Sequence, residues 1–147
     1  LLQVRRAMFA VSNHRHGTAY GSGSVAEGLR MAGKTGTSQV RNITAAERAR
    51  GVTSNDDLPW DRRDHALFVN FAPFDNPRIA VSVVVEHGGG GSAVAAPIAR
   101  DVTLQALYGE DPPLEAYPTA DRRRVKALQE RLARERDGRR AGGSDSA

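Results

Sequence analysis

The sequence predicts an α+β fold of three antiparallel strands with flanking helices, followed by a charged tail that is helical or disordered. Two patterns support this prediction. Residues 65–72 and 78–86 alternate apolar side chains with a period of two and are separated by five residues, which is typical of a β-hairpin. Residues 1–13 and 93–108 instead repeat apolar side chains at helical spacing.

The first predicted helix carries its apolar stripe on one side and ends near Asn13. Residues 14–28 are rich in Gly and Ser and are predicted to form a loop. His14 and His16 lie in this loop without a further ligand nearby, so we interpret them as solvated and predict neither a metal nor a cofactor. The helical stripe consists of Leu1, Val4, Met8 and Val11.

The first strand is predicted over residues 30–40, around Lys34, one of only two lysines in the chain. Residues 28–35 also match G-x-x-x-x-G-K-[ST], the phosphate-binding loop, which needs a buried strand before it and a helix after it. The preceding segment is turn-like, and residues 35–37 (Thr-Gly-Thr) disfavour a helix and suit a strand. Nucleotide binding is kept as the remote alternative, because Glu86 after an apolar strand resembles its acidic partner.

The polar segment 41–64 separates this strand from the hairpin. Thr44 is a suitable N-cap for a short helix over residues 45–50. Trp60, the only tryptophan, is predicted to pin the segment to the body of the domain.

Both faces of the strand over residues 78–86 are small or apolar, so we predict that this strand is central and covered on both sides. Residues 87–91, His-Gly-Gly-Gly-Gly, resemble the oxyanion loop of esterases. The G-x-S-x-G elbow that those enzymes need is absent from the sequence, so we interpret the run as a flexible turn.

The third helix is predicted over residues 93–108, with Ser92 as its N-cap and Gly109 as its end. Its small and apolar side chains repeat at helical spacing and predict close packing on the sheet. This packing stripe consists of Ala95, Ile98, Ala99, Val102 and Ala106.

Composition limits the class of protein. The 147 residues suffice for one domain with a modest core, the absence of cysteine excludes disulfides, and no apolar run approaches the ~20 residues of a membrane span. Residues 119–141 carry nine basic and four acidic side chains, a charge of +5, and the rest of the chain carries −1, which gives the net charge of +4. We interpret residues 120–135 as a solvated charged helix and residues 136–147 as disordered, and we predict no nucleic-acid partner.

Three motifs occur together in the order and spacing of a known family. They are Lys34-Thr35-Gly36-Thr37-Ser38-Gln39-Val40, Phe71-Ala72-Pro73-Phe74-Asp75-Asn76-Pro77 and Glu86-His87-Gly88-Gly89-Gly90-Gly91. The first contains the K-T-G box of penicillin-binding proteins and serine β-lactamases. With all three motifs, residues 1–110 resemble the C-terminal part of the transpeptidase domain of class B penicillin-binding protein 2, the elongation-specific peptidoglycan D,D-transpeptidases. A serine β-lactamase or D,D-carboxypeptidase relative is the alternative, because those enzymes share the K-T-G box.

The resemblance implies acyl transfer through a serine ester, with a stem peptide ending in D-Ala-D-Ala as substrate and β-lactams as inhibitors. It implies that the hydroxyls of Thr35 and Thr37 receive the terminal carboxylate. Lys34 is expected to extend beneath the cleft and assist proton transfer, and the backbone N–H of Thr37 to form half of the oxyanion hole. Gly36 is expected to admit both the substrate and a covering helix. All four residues are therefore predicted to bind substrate, and Lys34 and Thr37 to be catalytic.

The sequence contains neither a serine followed three residues later by lysine nor an S-x-N motif. We therefore expect a piece of a longer protein, inactive alone, whose nucleophile, base and N-terminal membrane span precede Leu1. By resemblance, that protein acts at the periplasmic face of the bacterial inner membrane with membrane proteins of the elongation complex. Residues 1–110 are assigned to the transpeptidase domain, with one sheet edge left unpaired, and residues 111–147 to a linker, charged helix and disordered tail.

Overall fold

A computed structural model describes residues 1–142. Their helices and strands confirm the predicted α+β class, with the hairpin and the first helix close to their predicted bounds. In chain order they are α1 (Leu2–Asn13), β1 (Ala32–Ser38), α2 (Ala45–Arg50), β2 (His65–Ala72), β3 (Ile79–Val85), α3 (Ala96–Tyr108) and α4 (Thr119–Gly142).

The three strands form one antiparallel sheet in the order β1-β2-β3. β2 is central, with Ser38 of β1 opposite His65 and Val85 of β3 opposite Ala66. Within the described residues β3 lies at the edge, and its Val84 is 59% exposed. The prediction that this strand is central and covered on both faces is therefore wrong here. Apolar side chains on both faces of a strand indicate that other elements can pack on both faces. They do not show whether another strand pairs with each of its edges.

One face of β2 forms the floor of the main core. α3 covers this face with Ala96 and Ala99, and Met31, which precedes β1, completes the cluster. Within the core, Asn70 Nδ2 donates a hydrogen bond to Thr103 Oγ1 of α3 at 2.8 Å. The core side chains of β2 are Ala66, Phe68, Asn70 and Ala72.

The start of α3 differs from the prediction. Gly91–Ala95 form a π-helical turn that continues into α3, and Ser92 provides no side-chain cap. Gly109 ends α3 in the left-handed conformation with φ 72°, as predicted. Of the predicted packing stripe, Ala95 and Ala99 are buried, whereas Ile98, Val102 and Ala106 are exposed.

The buried face of α3 includes two polar side chains instead, Arg100 and Thr103. Arg100 is 0% exposed, its Nη1 donates to Asp121 Oδ2 at 2.5 Å, and its guanidinium carbon lies 5.3 Å from the centre of the Tyr117 ring. These side chains can occupy the interior because Asp121 binds Arg100 and Asn70 binds Thr103, although Arg100 Nη2 has no hydrogen-bond partner among the described residues. Apolarity alone therefore located only part of the buried side of the helix.

The segment that follows α3 packs back onto it. Leu104 forms a second buried cluster with Ala116, Tyr117 and Val125. The backbone N–H of Val25 donates to Ala116 O at 3.1 Å, which joins this segment to the loop before β1. The first part of α4 is thus docked on the domain through Val125.

α4 is longer than predicted. It continues to Gly142, so residues 136–142, which the sequence predicts to be disordered, are helical. Charged i,i+4 pairs such as Lys126–Glu130 and Arg131–Glu135 occur along it and favour the helix. The rest of the predicted disordered segment, residues 143–147, lies outside the described residues.

The predicted short helix in the polar segment is confirmed as α2. The predicted N-cap is confirmed as well, since Thr44 Oγ1 accepts a hydrogen bond from Glu47 N at 3.2 Å. The centre of the Trp60 ring lies 4.4 Å from that of His87, so Trp60 contacts the domain, but it remains 62% exposed. Leu1 and Val4 of the predicted α1 stripe are also exposed. None of the helices within residues 1–142 combines the length and apolar character needed to cross a membrane.

Candidate active site

β1 brings the four predicted site residues together on a strand at the edge of the sheet. Lys34 lies opposite Val69 of β2, and Thr37 lies opposite Ala66. The strand continues to Ser38, and the next helix after it begins at Ala45. The phosphate-loop alternative is therefore wrong, because its lysine must stand at the start of a helix.

The backbone of β1 leaves hydrogen-bonding groups at its open edge. In an antiparallel ladder, alternate residues direct both backbone groups toward the same side. Arg30 O accepts from Phe74 N at 2.9 Å and so faces the β2 side, whereas Met31 O accepts from Asn13 Nδ2 at 2.9 Å on the other side. Odd-numbered residues of β1 therefore face away from β2. The C=O of Thr35 and the N–H of Thr37 consequently lie at the edge where an extended peptide could pair.

The side chains of β1 divide between the two faces of the sheet. Thr35 and Thr37 share the face of their cross-strand partners Phe68 and Ala66, which α3 covers. Lys34 lies on the opposite, exposed face. The alternation predicted from the sequence is therefore confirmed, with the hydroxyls on one side of the strand and the ammonium on the other.

Lys34 turns its ammonium toward the open edge. Its Nζ donates a hydrogen bond to Thr35 O at 2.6 Å. The positive charge thus lies beside the outward backbone groups of the strand. A carboxylate approaching this edge meets a cation and hydroxyl groups together, which is a suitable environment for an anionic peptide terminus.

Thr18 is a candidate site residue that the sequence analysis missed. Its Oγ1 lies 3.1 Å from Thr35 Oγ1, which adds a third hydroxyl beside the strand. The loop that carries Thr18 lies very close to the end of α1. A Cβ on Gly17 would overlap the carbonyl oxygens of Ala10 and Val11, so only glycine fits there. No local pattern marks Thr18, since its proximity to β1 arises only from this long-range packing.

A second missed residue is Gly91, at the start of the π-helical turn. A Cβ on Gly91 would lie 2.5 Å from Gly36 O and would also overlap Leu67 O. A Cβ on Gly36 would lie 3.2 Å from Leu67 Cβ, a tight but milder contact. The expectation that Gly36 admits the covering helix is therefore corrected, because Gly91 makes that close approach possible. Ser22 Oγ, which donates to Ser92 O at 2.9 Å, ties the same turn to the loop before β1.

The site provides a cation, hydroxyl groups and an unpaired backbone N–H, which can bind a carboxylate and polarise a carbonyl group. Within residues 1–142, no group of three or more His, Cys, Asp or Glu side chains is placed to hold a metal ion. The sequence supplies no serine and lysine in the S-x-x-K spacing. The arrangement is thus a candidate substrate-binding edge without the nucleophile that acyl transfer requires.

Comparison with solved structures supports the fold. The chain resembles penicillin-binding protein PBP2 of Helicobacter pylori in its complex with MreC, with a TM-score of 0.56 and 31% identity over 74% of this chain and 17% of that one. It also resembles a second structure of PBP2 from H. pylori, with a TM-score of 0.51 and 30% identity over 74% of this chain and 16% of that one. These similarities confirm the fold inferred from the three motifs.

Curated relatives agree. The chain is 38% identical over 114 residues to the peptidoglycan D,D-transpeptidase MrdA of Haemophilus influenzae, covering 78% of this chain and 17% of the relative. It is 34% identical over 108 residues to MrdA of Escherichia coli K12, covering 74% of this chain and 16% of that relative. The chain spans about a sixth of the length of these relatives. Residues 1–104 match the family model of the penicillin-binding protein transpeptidase domain. The chain therefore belongs to the penicillin-binding protein transpeptidase domain family.

Proposed function

We propose that the chain is part of a peptidoglycan D,D-transpeptidase, called the parent protein below, which cross-links stem peptides during cell-wall elongation and binds penicillin. The open edge of β1 carries this proposal. There the outward C=O of Thr35 accepts a hydrogen bond from the Lys34 ammonium, and the outward N–H of Thr37 follows two residues along the same edge. An extended peptide can pair with this edge while its terminal carboxylate meets the cation and the threonine hydroxyls.

The proposed reaction proceeds through an acyl-serine intermediate. The oxygen of a serine outside this chain attacks the carbonyl carbon of the penultimate D-Ala. The peptide C–N bond breaks, and the terminal D-Ala leaves with the proton taken from the serine. The amine of a neighbouring stem peptide then attacks the ester and releases the serine. β-Lactams acylate the same serine.

Four residues of β1 have roles in this proposal. The hydroxyls of Thr35 and Thr37 hold the terminal carboxylate, and the Lys34 ammonium favours the anionic substrate and assists proton transfer. The N–H of Thr37 donates to the oxyanion that forms when the serine adds to the carbonyl. Gly36 leaves space beside Lys34 on the exposed face of the sheet, so the substrate backbone can lie close to the strand.

We further propose that the parent protein acts at the periplasmic face of the inner membrane, held by an N-terminal span, and works with membrane proteins of the elongation complex. The H. pylori PBP2 that this chain resembles was solved in complex with MreC, which supports a partner of this kind. Cell fractionation and co-purification of the parent protein test both statements. Recovery in the cytoplasmic fraction would contradict the proposed location.

Covalent labelling of the parent protein with a fluorescent penicillin tests the activity. Lys34→Ala should slow acylation by about 10²–10⁴-fold, the typical contribution of a side chain that assists proton transfer. Lys126→Ala is the matched control, because Lys126 is the only other lysine and its side chain is 65% exposed. It should label like the unsubstituted protein.

Three outcomes of this experiment would count against the proposal. Near-normal acylation of Lys34→Ala would remove Lys34 from the site. A parent protein without any penicillin adduct would contradict the enzyme class. Rapid hydrolysis of the adduct by water would favour a β-lactamase or a D,D-carboxypeptidase instead.

A further inference from the structure

The His-Gly-Gly-Gly-Gly run, interpreted above as a flexible turn, is held by hydrogen bonds to the start of β2. Gly89 N donates to Asp64 O at 2.8 Å, and His87 N donates to His65 Nδ1 at 2.9 Å. His87 Nδ1 lies 2.9 Å from Arg63 O. Three consecutive residues of one segment thus bind the turn that leads into Gly91.

These contacts fix the protonation of the two imidazoles. A carbonyl oxygen only accepts hydrogen bonds, so His87 Nδ1 must carry a hydrogen. A backbone N–H only donates, so His65 Nδ1 must be unprotonated, and His65 is neutral with its hydrogen on Nε2. His87 can gain a second proton and keep its bond to Arg63. A proton on His65 Nδ1 breaks the bond from His87.

The backbone of His87 depends on this bond. Its φ is 54°, a left-handed conformation that few residues other than glycine adopt and that costs free energy unless surrounding contacts maintain it. The His65 and His87 rings also lie 4.8 Å apart, so protonation of both places two positive charges close together. Loss of the His65 acceptor therefore removes one of the three hydrogen bonds that hold the turn to residues 63–65.

Other charged groups near His65 are already engaged or face solvent. The Asp64 carboxylate accepts from Val40 N at 3.3 Å and from Asn55 Nδ2 at 3.4 Å, and Arg63 Nε donates to Leu58 O at 3.0 Å. The remaining neighbours are uncharged or exposed. They are Ser38 opposite His65 on β1, Trp60 against the His87 ring, and the exposed Asp61, Arg62 and Glu86.

The same cluster adjoins the end of the candidate site. Ser38, directly across from His65, follows Thr37 in β1. Asp64 holds Val40 just beyond the strand, and the turn positions Gly91 against the backbone of Gly36. A change in the turn is therefore transmitted to β1 through contacts with both its middle and its end.

We propose that His65 is a positioning residue and a pH-sensitive latch, whose neutral imidazole holds the His87–Gly91 turn against β1 and whose protonation releases it. Its catalytic consequence rests on the proposed function, because β1 is there the substrate-binding strand. The latch is therefore closed while the His65 imidazole is neutral and opens when Nδ1 gains a proton.

Hydrogen–deuterium exchange on the parent protein tests the latch without reference to activity. After correction for the intrinsic pH dependence of exchange, the amides of residues 87–89 should lose about tenfold protection between pH 8 and 5, the effect of one typical hydrogen bond. In His65→Asn, the amide oxygen takes the place of Nδ1 as an acceptor and does not titrate, so protection should stay constant with pH. His65→Gln displaces the acceptor and should lose protection at both values.

His87→Asn is the matched control. Asparagine tolerates the left-handed conformation, can donate to Arg63 O, and leaves His65 and the backbone N–H of residue 87 in place. The pH dependence of amide exchange in this variant should therefore equal that of the unsubstituted protein. Equal pH dependence in the unsubstituted protein and in His65→Asn, or none in the unsubstituted protein, would overturn the proposal.

Penicillin acylation measures the consequence for the site. The ratio of the acylation rate constants of His65→Asn and the unsubstituted protein should rise about tenfold from pH 8 to 5, and other titrating groups cancel in this ratio. A constant ratio would refute the effect on β1. A parent protein that is not acylated at any pH would contradict the proposed function, while the exchange measurement would still decide whether the latch exists.

Discussion

Gly91, the first residue of the π-helical turn, lies directly against the backbone of Gly36 in β1. The contact joins the start of the long core helix to the middle of the candidate substrate-binding strand. Neither residue can be replaced without consequence, but Gly91 has the less space, because the carbonyl oxygens of Gly36 and Leu67 both face its missing side chain.

Gly91→Ala should therefore destabilise the parent protein and displace β1. The added methyl group must move the turn or the strand, at a cost of about 1–3 kcal/mol, as in other over-packed interiors. Thermal unfolding and penicillin acylation should both show the defect. Gly90→Ala is the control, because the nearest atom to its Cβ would be Ala93 Cβ at 4.0 Å. Indistinguishable behaviour of the two variants would show that the turn adjusts freely.

Arg100→Met should detach the C-terminal segment. The substitution keeps most of the apolar volume but removes the bonds of the buried guanidinium to Asp101 and Asp121. The expected loss of stability is about 2–3 kcal/mol, below the range for fully buried pairs because both carboxylates retain contact with water.

Limited proteolysis after Gly109, together with thermal unfolding, measures the effect of Arg100→Met. Arg123→Met is the control at an exposed position of α4. Cleavage of Arg100→Met at the rate of the control would show that the buried guanidinium does not hold the segment.

The chain alone should form no stable adduct with a labelled penicillin. It lacks both S-x-x-K and S-x-N, so the bound antibiotic would meet no activated serine. Mass spectrometry of the 147-residue chain after incubation with penicillin should show the unmodified mass. A stoichiometric mass increase would place a nucleophile within these residues.

Glu47 should control the local order of α2 at acid pH. Two hydrogen bonds from Arg41, both 2.7 Å long, and a further bond from Thr53 N lower the pKa of the Glu47 carboxyl from 4.5 to about 2. Because the pKa is depressed in the folded state, the stabilisation is complete above pH 4.5 and is lost as the pH falls toward 2.

Carboxyl-carbon NMR of Glu47 and amide exchange over residues 41–53 provide the measurement. α2 should stay protected at pH 5 and lose protection near pH 2, whereas Glu47→Gln should lack this protection at both values. Titration of the carboxyl near 4.5 would show that the Arg41 pair does not persist in solution.

The sequence predicted the elements whose signals are local. The alternation in residues 65–72 located β2, Thr44 located the start of α2, and the K-T-G box located the residues that β1 brings to the sheet edge. These features succeed because a period of two, a capping hydroxyl and a Thr-Gly-Thr run each restrict the backbone within a few residues.

The missed features depend on partners distant in the chain. Arg100 is buried because Asp121 neutralises it, while the apolar Ile98 and Val102 remain exposed. Thr18 and Gly91 acquire their places beside β1 only when the loop and the π-helical turn pack. Hydrophobicity at helical spacing cannot reveal such pairings, since a satisfied polar group is indistinguishable in sequence from a solvated one.

The docking of the segment after Gly109 determines where the domain can be truncated for expression. The family match ends at residue 104, but a truncation there would remove the residues that cover Leu104 and Arg100. A boundary beyond Val125 keeps that cover. Most of the remaining helix can then be trimmed, because its exposed ion pairs add little to stability.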